Sequence, residues 1–324
     1  MILMFNLENF IKKRLSFIFD MIYKINIKLL ITLICLLFIG KSIYGNFDDL
    51  ANVNINLKEL IWLICGIIFS LLSIIINAYA WQQLINSIGC NSKKLNIVKI
   101  YLNTNIYKYL PGGVWHFVSR YNALRLKFST QKSVESILLE PLLMLVSALI
   151  FIPFGSFNIF IFILCWSSTL LFHSGLREFI IRNLKGIKLD IFKANDNVNF
   201  RNSANEIQNI SIKTFYPFKP LFLEIAFILF RFFGFSCCIN AFSIGSFISQ
   251  GELISSFSLA WAIGLVVPAA PGGIGVFESV ILFGLSSQLP DAPLLAALLC
   301  YRLVSITSDV FAALIYPVKR LLRV

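Results

Sequence analysis

Apolar positions in this chain fall in long unbroken runs, not in the alternating pattern of half-buried strands. Leu60 to Ala80 is 21 residues without a charge, and a helix needs about 20 apolar residues to cross a bilayer. Between Glu140 and Arg177 lie 36 uncharged residues, which Pro153-Phe154-Gly155-Ser156 divides into helices near 135–153 and 157–174. Residues 220–244 and 292–317 form two more spans. Residues 27–46 form a weaker one, with Lys28 and Lys41 snorkelling outward.

Two segments interrupt the pattern. Residues 97–126 are half apolar and broken by Pro111-Gly112-Gly113. Residues 253–288 are broken by Pro268, Pro271, Gly272, Gly273 and Gly275. Pro and paired Gly stop helices. At membrane depth, irregular backbone survives only inside protein or beside a water-filled cavity. Both segments therefore read as re-entrant hairpins. The expected fold is an all-α polytopic membrane protein of about six spanning helices plus two hairpins.

The two breaks are alike. Residues 111–119 read PGGVWHFVS and residues 271–279 read PGGIGVFES, 160 positions apart. Leu138-Leu139 matches Leu298-Leu299 at the same offset, and each hairpin precedes a spanning helix. The topology makes this an inverted repeat, a transporter design in which broken helices meet near the midplane.

Composition agrees. Hydrophobic residues make up 58% and charged residues 14%, against roughly a quarter charged in soluble domains. Two soluble domains and a disordered chain are both excluded. The net charge of +12 would suggest nucleic acid in a soluble protein. Here 24 of the 28 Lys and Arg residues can lie on one membrane side if each hairpin returns to its side of entry. That places both termini in the cytoplasm, and the richness in Ile, Asn, Lys and Phe, as in AT-rich bacterial genomes, points to a bacterial inner membrane. Residues 1–26 read as an amphipathic interfacial N-terminus, with Phe5, Leu7, Phe10 and Ile11 set against Lys12, Lys13 and Arg14. Residues 27–318 read as one transmembrane domain with a cytoplasmic loop at 176–218, and 319–324 as a basic tail. No small-residue cleavage site follows the N-terminal apolar stretch, so no removed signal peptide is expected.

Seven Cys and two His show no metal-ligand spacing, and GxSxG, HExxH and CxxC are absent from the sequence. The expectation is no metal, no cofactor and no catalytic residue. Ionisable groups inside a membrane cost at least about 2.5 kcal/mol each and mark pathways. Glu140, Glu224, Arg231, Glu278, Arg302 and Asp309 are such groups. Glu224 and Arg231 are seven residues apart, as are Arg302 and Asp309, so each pair points two charges at a common interior. Direct pairs within a helix need three or four residues, so Glu140 is the expected cross-helix partner of Arg302 or Arg231. Half-helix N-termini after Pro111-Gly112-Gly113 and Pro271-Gly272-Gly273 would aim positive ends at an anion. Arg120 and Arg125 lie one and two turns past the first break, with His116 before them. A phosphate-bearing head group is the natural ligand. The alternative for each charge is a buried ion pair that fixes helix register.

The run Tyr109-Leu110-Pro111-Gly112-Gly113-Val114-Trp115, then Arg120 and Glu140, resembles the lysylphosphatidylglycerol synthase transmembrane-region family. So do Pro268-Ala-Ala-Pro271-Gly-Gly-Ile-Gly-Val-Phe277-Glu278 and Tyr301-Arg302-Leu303. The resemblance spans roughly residues 25–320 and implies a flippase-like module without the aminoacyl-transfer domain. It implies an anionic phospholipid or a polyprenyl-phosphate-linked sugar as the partner molecule. It places the protein in cell-envelope or surface polysaccharide biogenesis, alone or beside a glycosyltransferase or synthetase. Two other readings stand: a membrane-embedded transferase on lipid-linked sugars with Glu140 or Asp309 as base, and a non-catalytic partner of such an enzyme.

Overall fold

A computed structural model describes residues 56–92, 95–110, 114–155, 159–172, 216–267 and 275–315. The expected N-terminal helix, the span at 27–46, the loop at 176–215, the tail and both Pro-Gly-Gly triplets lie outside the described residues.

The described residues form α1 (Leu57–Ser87), α2 (Ile97–Asn105), α3 (Trp115–Leu124), α4 (Thr130–Leu149) and α5 (Ile159–Ser167). They continue as α6 (Phe218–Ala241), α7 (Gln250–Val266), α8 (Val276–Leu285) and α9 (Asp291–Leu314). Short 3-10 turns follow α2 (Ile106–Tyr109), precede and follow α5 (Ile152–Gly155, Ser168–Phe172), and precede α7 (Gly245–Phe247). Strands are absent among the described residues.

Four helices are long and apolar enough to cross a membrane: α1, α4 with its 3-10 extension to Gly155, α6 and α9. They fall on four of the expected spans, and the chain is an all-α polytopic membrane protein. The expected span 157–174 differs. Its α-helix ends at Ser167 and tightens into a 3-10 turn. The hydroxyls of Ser167, Ser168 and Thr169 each donate back to a carbonyl three residues earlier, those of Leu164, Cys165 and Trp166. Such bonds compete with the α-helical ladder, which explains the early stop.

Side-chain caps set the helix starts. Asn96, Ser129 and Ser249 accept from the backbone N–H three residues on, at Lys99, Lys132 and Glu252. Helix α1 ends where Cys90 N–H donates to Ile85 C=O and Gly89 sits at φ +78°, a left-handed cap that suits glycine.

The most extensive packing joins α1 to α6. Gly66 lies opposite Gly234, and Gln83 lies beside Phe218, so the two helices run antiparallel. A side chain on Gly234 would meet Ser70 Oγ at 2.5 Å and Gly66 C=O at 3.2 Å. Small residues at this crossing let the backbones approach, the usual basis of helix association in lipid. One apolar cluster then forms around α6 to α9, where Phe235, Phe257, Phe277 and Tyr301 pack ring on ring. A second forms around α1, α2 and α4, with Trp81, Tyr101, Leu84 and Leu143 at its centre.

The two breaks are followed by like elements. Helices α3 and α8 are each ten residues long. Each is followed by five connecting residues and then by a long helix, α4 or α9.

Candidate functional site

The polar interior begins with an ion pair. Arg120 on α3 is 1% exposed and Glu140 on α4 is 3% exposed. Arg120 Nη1 donates to Glu140 Oε2 at 2.6 Å, and its Nε donates to Thr104 Oγ1 at 3.3 Å. The guanidinium lies over the Tyr101 ring at 3.8 Å and near the Trp81 ring at 5.3 Å. The Tyr101 hydroxyl donates to the other Glu140 oxygen at 2.9 Å. The full satisfaction of both charges makes this burial tolerable.

A second pair mirrors the first with the charges exchanged. Here the acid, Glu278, is on the short helix α8 and the base, Arg302, is on the long helix α9. Arg302 Nε donates to Glu278 Oε1 at 2.7 Å and its Nη2 lies 2.5 Å from the same oxygen. Glu278 Oε2 accepts the N–H of Gly275 at 2.8 Å, so the carboxylate also caps α8. Gly275 stands at φ +93°, where a side chain would be strained. The sequence-based expectation aimed this positive helix end at a ligand. The structure gives it a carboxylate of the protein itself. Likewise, Glu140 pairs with Arg120, not with Arg302 or Arg231 as the spacing suggested. Helix α3 returns onto α4 through five residues, so Arg120 reaches Glu140 first.

A third cluster centres on Asp309, which is fully buried. Asn105 Nδ2 donates to its Oδ1 at 2.8 Å. The Tyr109 hydroxyl donates to its Oδ2 at 2.5 Å, and Lys108 Nζ lies 2.8 Å from the same oxygen. Asn105 and Lys108 were not singled out in the sequence, since neither belongs to a motif. The signal was the polar run Asn103-Thr104-Asn105 inside an otherwise apolar segment. Thr104, Tyr101, Trp81 and Trp261 escaped notice because aromatic and hydroxyl residues are ordinary in apolar helices.

Three Lys and Arg residues of this interior are thus neutralised by three acids, whereas Arg231 and Glu224 form no ion pair among the described residues. Arg231 on α6 is 3% exposed, and its Nε and Nη1 have no hydrogen-bond partner among the described residues. Its guanidinium lies 5.6 Å from the Trp261 ring and within electrostatic reach of Asp309, Tyr109 and Tyr301. Glu224, two turns earlier on the same helix, is 1% exposed with Oε2 unpartnered. It feels the charges of Glu140 and Arg120.

Other expected site residues lie elsewhere. Arg125 is exposed and lies over the Tyr121 ring at 5.9 Å. His116 is half-buried with its ring 3.8 Å from that of Phe117. Tyr301 is buried in the aromatic cluster, next to the Arg302 pair. Pro111, Gly112, Gly113, Pro271, Gly272 and Gly273 lie outside the described residues.

The charged interior sits where the two broken segments meet the long helices, and the sequence carries the matching signature. The model of the lysylphosphatidylglycerol synthase TM region matches residues 25–312. The chain belongs to that family. Membership covers nearly the whole chain and makes the protein an integral membrane protein of lipid handling. Among curated proteins no match is found.

Proposed function

We propose that this protein is a flippase-like transporter that moves an anionic phospholipid or lipid-linked sugar between leaflets. Arg231 carries the reading. A buried guanidinium without a carboxylate is costly in a membrane interior, and an anionic head group would compensate it. Lys108, half-open to the surface at 24% side-chain exposure, would pass the head group inward. The Arg120–Glu140 and Glu278–Arg302 pairs would latch the short helices to the long ones on either side. Basic loops and both termini at the expected cytoplasmic face of a bacterial inner membrane would concentrate anionic lipid at the entrance. A role in cell-envelope or surface polysaccharide biogenesis fits such a substrate, as does a neighbouring glycosyltransferase or synthetase as partner.

The test is leaflet exchange in liposomes carrying the protein and either a fluorescent phospholipid or a short-chain polyprenyl-phosphate sugar. Exchange of one of them is expected, and its loss in Arg231→Ala. Because Arg231 has no ion pair among the described residues, its removal strands no buried carboxylate and the fold should persist. Exchange that survives in both Arg231→Ala and Arg302→Ala would overturn the reading.

A further inference from the structure

Glu224 takes no part in the latches or in the anion subsite, yet it is 1% exposed and its Oε2 has no hydrogen-bond partner among the described residues. The described helices around it offer no counter-charge of its own. Helix α4 presents Glu140, whose two oxygens already hold Arg120 and the Tyr101 hydroxyl. Helix α3 presents Arg120, committed to Glu140 and Thr104. Helix α2 presents Tyr101, committed to Glu140. Helix α1 presents no charge here: Ile225, beside Glu224, packs into the cluster that holds Ala78 and Trp81. Helix α9 contributes Ala312 to that cluster. On α6 itself, Lys219 lies five residues before Glu224 and is exposed to solvent, and Arg231 lies seven residues after it, about 10 Å along the axis.

The Arg120 guanidinium, whose charge reaches Glu224, is already bound to Glu140. A carboxylate at Glu224 would be buried, with no donor to Oε2 among the described residues and within reach of the like charge of Glu140, an arrangement that proteins relieve by neutralising the group. With a neutral Glu224, Arg231 has no counter-charge bound to it among the described residues, and one monoanionic head group would supply it. With an ionised Glu224, the head group would bring a second negative charge to the same helix face.

We propose that Glu224 is a proton site coupled to anion binding at Arg231, so that an anionic head group occupies this interior together with a proton. The coupling rests on the flippase reading, whereas the proton assignment stands on the geometry alone. Linkage fixes the sign: the protonated form binds the anion more tightly, and the bound anion holds the proton more firmly.

Two measurements test it on the full-length protein in detergent. Infrared difference spectroscopy at neutral pH should show the carbonyl stretch of a buried protonated carboxyl group, absent in Glu224→Gln. Binding of short-chain phosphatidylglycerol should weaken with rising pH, by up to about tenfold per pH unit where Glu224 titrates, and Glu224→Gln should flatten that dependence. A carbonyl band unchanged in Glu224→Gln overturns the proton site. A pH dependence equally steep in Glu224→Gln overturns the coupling. No binding of the lipid at any pH, with the band present, overturns the head-group reading and the coupling while the proton assignment stands.

Discussion

Asn105 and Asp309, 204 positions apart, are joined by a hydrogen bond of 2.8 Å from Asn105 Nδ2 to Asp309 Oδ1. The bond ties the end of α2, just before the first break, to the last long helix. Lys108 and Tyr109 close on the same carboxylate, so the first broken segment is fastened to the second half of the chain by one acid.

Substitutions at Asp309 should separate shape from charge. Asp309→Asn keeps an acceptor for Asn105 or Tyr109, and Lys108 is exposed enough to turn to water. Asp309→Leu leaves Asn105 and Tyr109 without that acceptor, at about 1–3 kcal/mol for a buried group. The melting temperature in detergent should therefore fall further for Asp309→Leu than for Asp309→Asn. The reverse order would refute the geometry.

Removing one member of the Arg120–Glu140 pair strands a buried charge, which costs about 3–5 kcal/mol. Replacing both by apolar residues of similar size strands none. Arg120→Met or Glu140→Leu alone should lower the melting temperature sharply, and the double variant should recover most of the loss. The buried thiols of Cys237 and Cys238 offer a reporter, since they become reactive to a thiol dye on unfolding.

The Glu278–Arg302 pair should resist charge reversal. Glu278 also accepts the Gly275 N–H, a role that no arginine can fill. The double variant Glu278→Arg/Arg302→Glu restores the pair but not the cap. It should recover less stability than the corresponding reversal of Arg120 and Glu140, and thermal melts of the two double variants give the comparison.

The α1–α6 crossing depends on Gly234. In Gly234→Ala the new methyl meets Ser70 Oγ, which has no hydrogen-bond partner among the described residues to lose. Ser70→Ala should therefore be nearly neutral alone and should rescue part of the Gly234→Ala loss. Additive effects of the two substitutions would contradict the contact.

Ser243 follows α6 at φ +58°, a left-handed position that favours glycine. Ser243→Gly should stabilise the protein by about 1 kcal/mol, read as a raised melting temperature with leaflet exchange unchanged.

The periodicity and punctuation of the sequence determined the helices. Long apolar runs, broken by few charges, located α1, α4, α6 and α9, because crossing a bilayer demands a fixed length of apolar chain. The breaks before α3 and α8 were legible too, since proline and paired glycine have few alternatives. The early stop of α5 was not, because three serine and threonine hydroxyls act on the backbone without changing the hydropathy of the run. The inventory of buried charges was likewise readable residue by residue. Spacing of seven placed Glu224 with Arg231 and Arg302 with Asp309 on common helix faces. Only the tertiary structure decided which charges meet. Short connections bring Arg120 onto Glu140 and Glu278 onto Arg302, whereas Asp309 finds Asn105, Lys108 and Tyr109 across 200 residues of chain. Partner choice depends on how helices cross, and that is set by side-chain volume at contacts such as Gly66 and Gly234, far from the charges themselves. Among the described residues, Arg231 and Glu224 emerge without an ion pair only once the other pairings are drawn.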